Sequence, residues 1–208
     1  MSINVCNNNS LSAITSIPDS ITGGALTLLE TQTASSSATI SFTSNIDSTY
    51  DVYMFKLINI HPQTQNALFQ VGFRDGGSNY DATKTTTVFG AYNYEDGASG
   101  AALNYQSARD LAQSTSFQDL VQYALISDAN DNSLSGTLNL FNPSNTTFVK
   151  HFMARTNSAG DGDGAGSEYC DSCFIAGYCN TTTAIDGVQF KFSSGNIDSG
   201  IIKLYGVS

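Results

Sequence analysis

The chain has 208 residues and a mass of 22.0 kDa, room for one domain with a real core and too little for two full-sized catalytic domains. Hydrophobic residues are 40% and aromatic residues 11%, which points to a packed fold, while only 12% are charged and 66 Ser, Thr and Asn take their place, as in strands joined by turns. The net charge of −10, from 8 Lys and Arg against 18 Asp and Glu, disfavours DNA, RNA or anionic lipid held across a broad surface, because cationic side chains bind such partners.

Residues 1–24 read as a polar N-terminal arm ending in ITGG. Pro18 and the Gly23–Gly24 pair mark it as an extended or flexible entry outside the core. A disordered terminus and an arm that orders against a neighbouring subunit both fit; Ile14, Ile17 and Ile21 favour the second. From Ala25 on, strand-like runs recur between turn signals. LTLLETQ (26–32) leads through a Ser-rich turn to ATISFTS (38–44), where Ile40 and Phe42 alternate with polar residues. YDVYMFKLINI (50–60) is apolar on both faces, as a central sandwich strand is, and His61-Pro62 ends it. ALFQVGFR (67–74) sets Phe69, Val71 and Phe73 on one side before the DGGSN turn. TTTVFGAY (85–92) follows, and LNYQSARDLAQ (103–113) is the one segment with the pattern of a short helical turn.

LVQYALI (120–126), LSGTLNLF (134–141), TFVKHFMA (147–154), CFIAGYC (173–179), DGVQFKFS (186–193) and GIIKLYG (200–206) complete the set. In DGVQFKFS, Val188, Phe190 and Phe192 face one way and Gln189 and Lys191 the other. The connections are too short for parallel crossovers, so the pairing is antiparallel. About ten strands in one domain make an all-β, two-sheet sandwich of jelly-roll type over residues 25–208.

The N-terminal twenty residues lack the basic and apolar regions of a secretory signal, and no apolar run is long enough for a membrane helix. Synthesis and folding in a cytoplasm are expected, with sequons at Asn8, Asn145 and Asn180 of little consequence there. Cys6, Cys170, Cys173 and Cys179 are too few for a disulfide framework and read as reduced thiols. A strand from Ser172 to Cys179 would put Cys173, Ile175 and Cys179 on one face with Cys170 outside it. Small buried hydrophobes account for the cluster YCDSCFIAGYC; a metal and a disulfide are the alternatives, and the second close pair of a strong zinc signal is missing.

Chemistry has little foothold. His61 stands at a strand end and His151 inside TFVKHFMA, without the partner motif of a nucleophilic triad, and no nucleotide-binding loop occurs. No catalytic, cofactor-binding or metal-binding residue is nominated, and no cofactor is expected. Asp75, Asp96, Asp128 and Asp131 sit in turns, where backbone geometry alone explains them. In DGDGAGSEYCD (161–171), Ala165 and Ser172 stand where an EF-hand loop needs ligands; a mobile loop is the default, and a looser ion site from Asp161, Asp163 and Glu168 the alternative. Tyr92, Tyr94, Glu95 and Asp96 in FGAYNYEDG (89–97) could stack on and hydrogen-bond a sugar; packing of loops or subunit contacts is the plainer role.

The C-terminal stretch IDGVQFKFSSGNIDSGIIKLYGVS (185–208), with TQTASSSATISFTSNIDSTYDVYMFKLINIHP (31–62) and NPSNTTFVKHFMA (142–154), resembles structural proteins of tailed bacteriophages, particularly marine ones. The resemblance covers much of the chain and carries no catalytic residues. It implies a non-enzymatic virion component built on a jelly roll: a capsid decoration or cement protein, or, as the alternative, a head or tail fibre module binding a host receptor or glycan. It further implies a homotrimer assembled in the host cytoplasm, contacting the major capsid protein or another virion protein, with neither nucleic acid nor membrane as partner.

Overall fold

The computed structural model describes residues 26–97, 99–123, 128, 132–160 and 168–208. The arm expected over residues 1–24 lies outside them. Among the described residues twelve strands run in chain order: β1 (Leu26–Ser37), β2 (Ile40–Phe42), β3 (Val52–Pro62), β4 (Phe69–Arg74), β5 (Lys84–Tyr94), β6 (Ala101–Tyr105), β7 (Gln118–Asp119), β8 (Leu134–Phe141), β9 (Lys150–Gly160), β10 (Tyr169–Cys179), β11 (Gly187–Phe192) and β12 (Ile197–Val207). They form an eight-stranded sheet in the order β1-β12-β3-β8-β9-β10-β5-β6 and a four-stranded sheet in the order β2-β11-β4-β7. All strand pairs in both sheets are antiparallel.

The pairing defines the topology. β1 pairs with β12, β2 with β11, β3 with β8 and β4 with β7, so the chain runs as one long antiparallel ribbon rolled up into two facing sheets. That is a jelly roll, the expected fold. Two hairpin-like additions widen only the larger sheet: β5 and β6 arise at the tip of the ribbon between β4 and β7, and β9 and β10 between β8 and β11.

Period-two alternation does the folding. In β3, Tyr53, Phe55, Leu57 and Ile60 are buried and the residues between them are half-exposed or exposed. In β11, Val188, Phe190 and Phe192 turn inward as the sequence indicates. Phenylalanines from the two sheets meet at the centre. The Phe190 ring lies 5.5 Å from Phe55, 6.4 Å from Phe42 and 5.9 Å from Phe69, the last nearly parallel and the others edge-on. Phe73 of β4 meets Phe152 of β9 at 4.7 Å, so the core extends under the added strands. Such contacts add specific ring geometry to the burial of large apolar areas.

Several details depart from the sequence reading: the expected Ser-rich turn is the end of β1, and TFVKHFMA enters its strand only at Lys150, a strand that then runs on to Gly160. LVQYALI is not an extended strand in its described part: pairing stops after Asp119, and Leu120 and Val121 enter the core from bends instead. The region 103–113 begins as β6 and contains only a 3-10 turn at Ser107–Arg109. β3 continues through His61 and Pro62, because Pro62 at its last position still pairs with Ile197 and needs no further ladder donor. β10 starts three residues earlier than expected, at Tyr169, so Cys170 lies within it. Opposite Gly200 a bulge places two residues of β3, Asn59 and Ile60, against one of β12; the φ of +129° at Gly200 and an approach of 2.8 Å from an added Cβ to the Asn59 carbonyl leave room for glycine alone.

The central ring cluster makes a direct prediction. Phe190→Ala should lower unfolding free energy in urea by about 3–5 kcal/mol. Lys191→Ala, one residue along and facing out over Phe117, should cost no more than about 1 kcal/mol.

Candidate functional site

The eight-stranded sheet outgrows the four-stranded one, so part of its inner face needs another cover. Residues 107–123 supply it through polar side chains. Thr86 Oγ1 donates to Gln118 Oε1 at 2.6 Å, Gln118 Nε2 donates to the Arg109 and Asp119 carbonyls, and Thr156 Oγ1 donates to the Leu120 carbonyl at 2.5 Å. Arg109 pairs with Asp119 at 3.1 Å. Beneath the segment, Gln122 donates its amide to the carboxylate of Asp171, a residue only 2% exposed. A Cβ at residue 90 would fall 2.6 Å from Gln122 Oε1, so Gly90 is what lets the amide lie there. Burial pushes the Asp171 carboxyl up to about 6, against the opposing pull of the Gln122 hydrogen bond.

Beside Asp171 the cover ends and four tyrosines take over. Tyr92 is the cross-strand neighbour of Asp171, and Tyr94 that of Tyr169. The Tyr92 ring stands 5.6 Å from Tyr94 at 85° and 5.7 Å from Tyr123 at 78°; Tyr94 meets Tyr169 at 5.5 Å and 65°. These rings wall a recess of about 190 Å³. Asn104 donates to the Tyr123 hydroxyl at 2.9 Å and fixes that wall. Perpendicular rings with hydroxyls at their tips give a small site an apolar body and polar edges, a combination suited to a polar organic group.

The structure therefore divides the nominated sugar-binding residues. Tyr92 and Tyr94 belong to strand β5, not to a loop. Glu95 and Asp96 lie in the turn beyond, where Asp96 accepts from the Ser99 backbone at 2.9 Å. Tyr169, Asp171, Gln122 and Tyr123 were not foreseen; the alternation Tyr169, Asp171, Cys173 in YCDSC was the available signal for the first two.

Cys173 and Cys179 are buried on the inner face of β10 with Ile175, as expected, and burial pushes both thiols up to about 12. Cys170, three residues from Cys173, projects to the opposite, exposed face, where it accepts from Asn157 Nδ2. The pair therefore converges on no shared ligand. Cys179 is flanked in register by Lys84 and Lys150, both fully buried, which donate to the Ala82 and Thr181 carbonyls. The histidines are far apart in role: His61 lies near Asp198 at the end of β3, and His151 is exposed on the outside of β9, not in a core or turn. Asp75 and Asp128 occupy bends; Asp131, Asp161 and Asp163 lie outside the described residues. Among the described residues no three His, Cys, Asp or Glu side chains gather as a metal site.

A second surface feature is the outward face of the large sheet over β8, β9, β10, β5 and β6. It exposes Met153 at 55%, Phe89 at 43%, Leu103 at 74% and Tyr105 at 64%. Phe89 and Phe174 stack at 5.0 Å on it, and Met153 and Ala176 line two shallow depressions there. No family profile, curated protein or solved structure matches the chain.

The buried carboxyl fixes a pH dependence. Its folded value of about 6 lies above the ordinary aspartate value of 3.8, so between these pH values the folded chain binds the extra proton. Stability from this group therefore falls as pH rises from about 4 to about 6, by at most about 3 kcal/mol. Asp171→Asn should remove the effect: its urea midpoint should gain on the wild type across that window and run parallel to it below. Parallel curves throughout would contradict the burial argument.

Proposed function

We propose that this chain is a non-enzymatic structural protein of a tailed-bacteriophage virion, a decoration or cement protein that stabilises the capsid through contacts. The observation that carries the reading is the exposed apolar face of the large sheet. Phe89, Met153, Leu103 and Tyr105 form a continuous patch of the kind that marks interaction surfaces. A jelly roll hosts many functions, so the fold alone does not decide the matter. The virion assignment rests on the resemblance of residues 31–62, 142–154 and 185–208. On this reading the protein is a homotrimer on particles assembled in the host cytoplasm, its neighbours being other copies and the major capsid protein. Its action is passive: apolar area buried at junctions adds mechanical stability. Residues 1–24 serve as the attachment arm, with Ile14, Ile17 and Ile21 as its apolar anchors.

The tyrosine recess favours a second reading, a head or tail fibre module that binds a host surface glycan. Tyr92, Tyr94, Tyr123 and Tyr169 offer ring faces and hydroxyls in a space that accommodates one sugar unit.

Counting copies by quantitative mass spectrometry of purified particles separates the two: hundreds per particle fit decoration, and a dozen or fewer fit a fibre. Absence from the particles would refute both. A chain lacking residues 1–24 should fold yet fail to join particles; full decoration by it would refute the arm. A glycan array with wild type and Tyr92→Ala tests the second reading, which predicts a signal that the variant loses.

A further inference from the structure

The outward face of the eight-stranded sheet differs in charge from the rest of the molecule. Directly opposed residues across its strands form one transverse row of Lys203, Lys56, Thr137, Arg155, Phe174 and Phe89. The next row is Tyr205, Met54, Asn139, Met153 and Ala176. No strand residue of these rows or of the two flanking ones is a carboxylate; the one acid bonded to the face is Asp110 at its far edge, which accepts from Tyr105, the cross-strand neighbour of Phe89. Three of the 8 Lys and Arg thus stand together in a chain with 18 Asp and Glu.

Lys203 and Lys56 are direct cross-strand neighbours, a like-charge arrangement that costs stability. Lys56 Nζ lies 5.2 Å from the Tyr205 ring centre and the Arg155 guanidinium 4.9 Å from that of Phe174. Among the described residues, none of the three cations is paired with a carboxylate. The outside of the small sheet has no such bias: Gln70 donates to Asp119 and Gln189 to Ser41. For an isolated domain the cation row is a cost, and a negatively charged partner converts it to attraction.

The chain itself provides that complement. Asp47, Asp51, Asp75 and Asp81 all lie at the end of the sandwich where β3 and β5 begin, spread across the width between those two strands. The cations at that end are Arg74, paired with Asp186 at 2.7 Å, and the buried Lys84 and Lys150. We infer that the row around Lys56 and Arg155 is the surface on which a second copy of this chain docks, bringing its acidic end. The contact is heterologous, because the cation row of one copy meets the acidic end of the next and not its own counterpart. Eight strands about 4.8 Å apart and four rows about 7 Å apart give a face on the order of 700 Å². That approaches the roughly 800 Å² per partner of a stable interface. The inference rests on the self-associating role proposed above and narrows it to one face and one charge pattern.

Sedimentation velocity of the full chain, over a micromolar concentration series, tests it. The wild type should assemble at low salt and dissociate as salt rises. Arg155→Glu with Lys56→Glu, and separately Asp51→Lys with Asp81→Lys, should each weaken association by about tenfold or more while keeping a β-sheet spectrum. Acetylation footprinting of the wild type covers the case of a variant that fails to fold: Lys56 and Lys203 should become protected on assembly while Lys191 stays reactive. A wild type that stays monomeric overturns the inference, even if it binds an unrelated acidic protein, nucleic acid or anionic vesicles. So does an assembly that leaves Lys56 and Lys203 reactive. The virion reading fails on a separate observation, absence from purified particles.

Discussion

The contact between Phe190 and the rings of Phe42, Phe55 and Phe69 is the constraint on which the rest depends. Phe55 belongs to the large sheet and the other three to the small one, so a single cluster joins the layers. Edge-on and stacked ring pairs fix the distance and angle between the sheets more closely than aliphatic contacts would. Tyr53 reinforces the seam at its edge: its hydroxyl accepts from the Asp47 amide and donates to the Asp47 carboxylate, pinning the β2–β3 connection. The hydrogen bonds from Thr49 and Tyr53 hold the Asp47 carboxyl below its ordinary value.

The unequal widths of the two sheets produce both surface features. Four strands cannot cover eight, and the uncovered inner face is closed by the segment 107–123, which adds Leu120 and Val121 to the core and otherwise meets the sheet through polar side chains. Over the rest of it hydrogen bonds replace apolar contact, at the cost of keeping Asp171 and Gln122 buried. Where even this cover stops, the tyrosines line an opening. On the opposite side no second layer is formed by the described residues, and aromatic side chains and cations face outward there.

Much of the architecture was readable from alternation, because a strand buried on one side must repeat every two residues. LSGTLNLF matched its strand end for end, and the inward set Val188, Phe190 and Phe192 was assigned correctly. Alternation failed in LVQYALI, where buried Leu120 and Val121 come from bends held by side-chain hydrogen bonds to distant strands. Composition does not reveal such long-range bonds. The tyrosine recess was half legible: Tyr92 and Tyr94 stood out, but Tyr123 and Tyr169 join them only through pairings between β5 and β10 and through the fold of residues 107–123. The cation row was invisible for the same reason, since Lys56, Arg155 and Lys203 are scattered along the chain and meet only by strand register.

Amide hydrogen exchange read by mass spectrometry tests the central claim most directly, because it reports whether the two sheets open together. If the ring cluster joins them into one cooperative body, amides in β4 and β11 of the small sheet and in β3 and β12 of the large one exchange at a common, slowest rate. Much faster exchange in β4 and β11 than in β3 and β12 would contradict the account, since it would mean that the smaller layer detaches by itself.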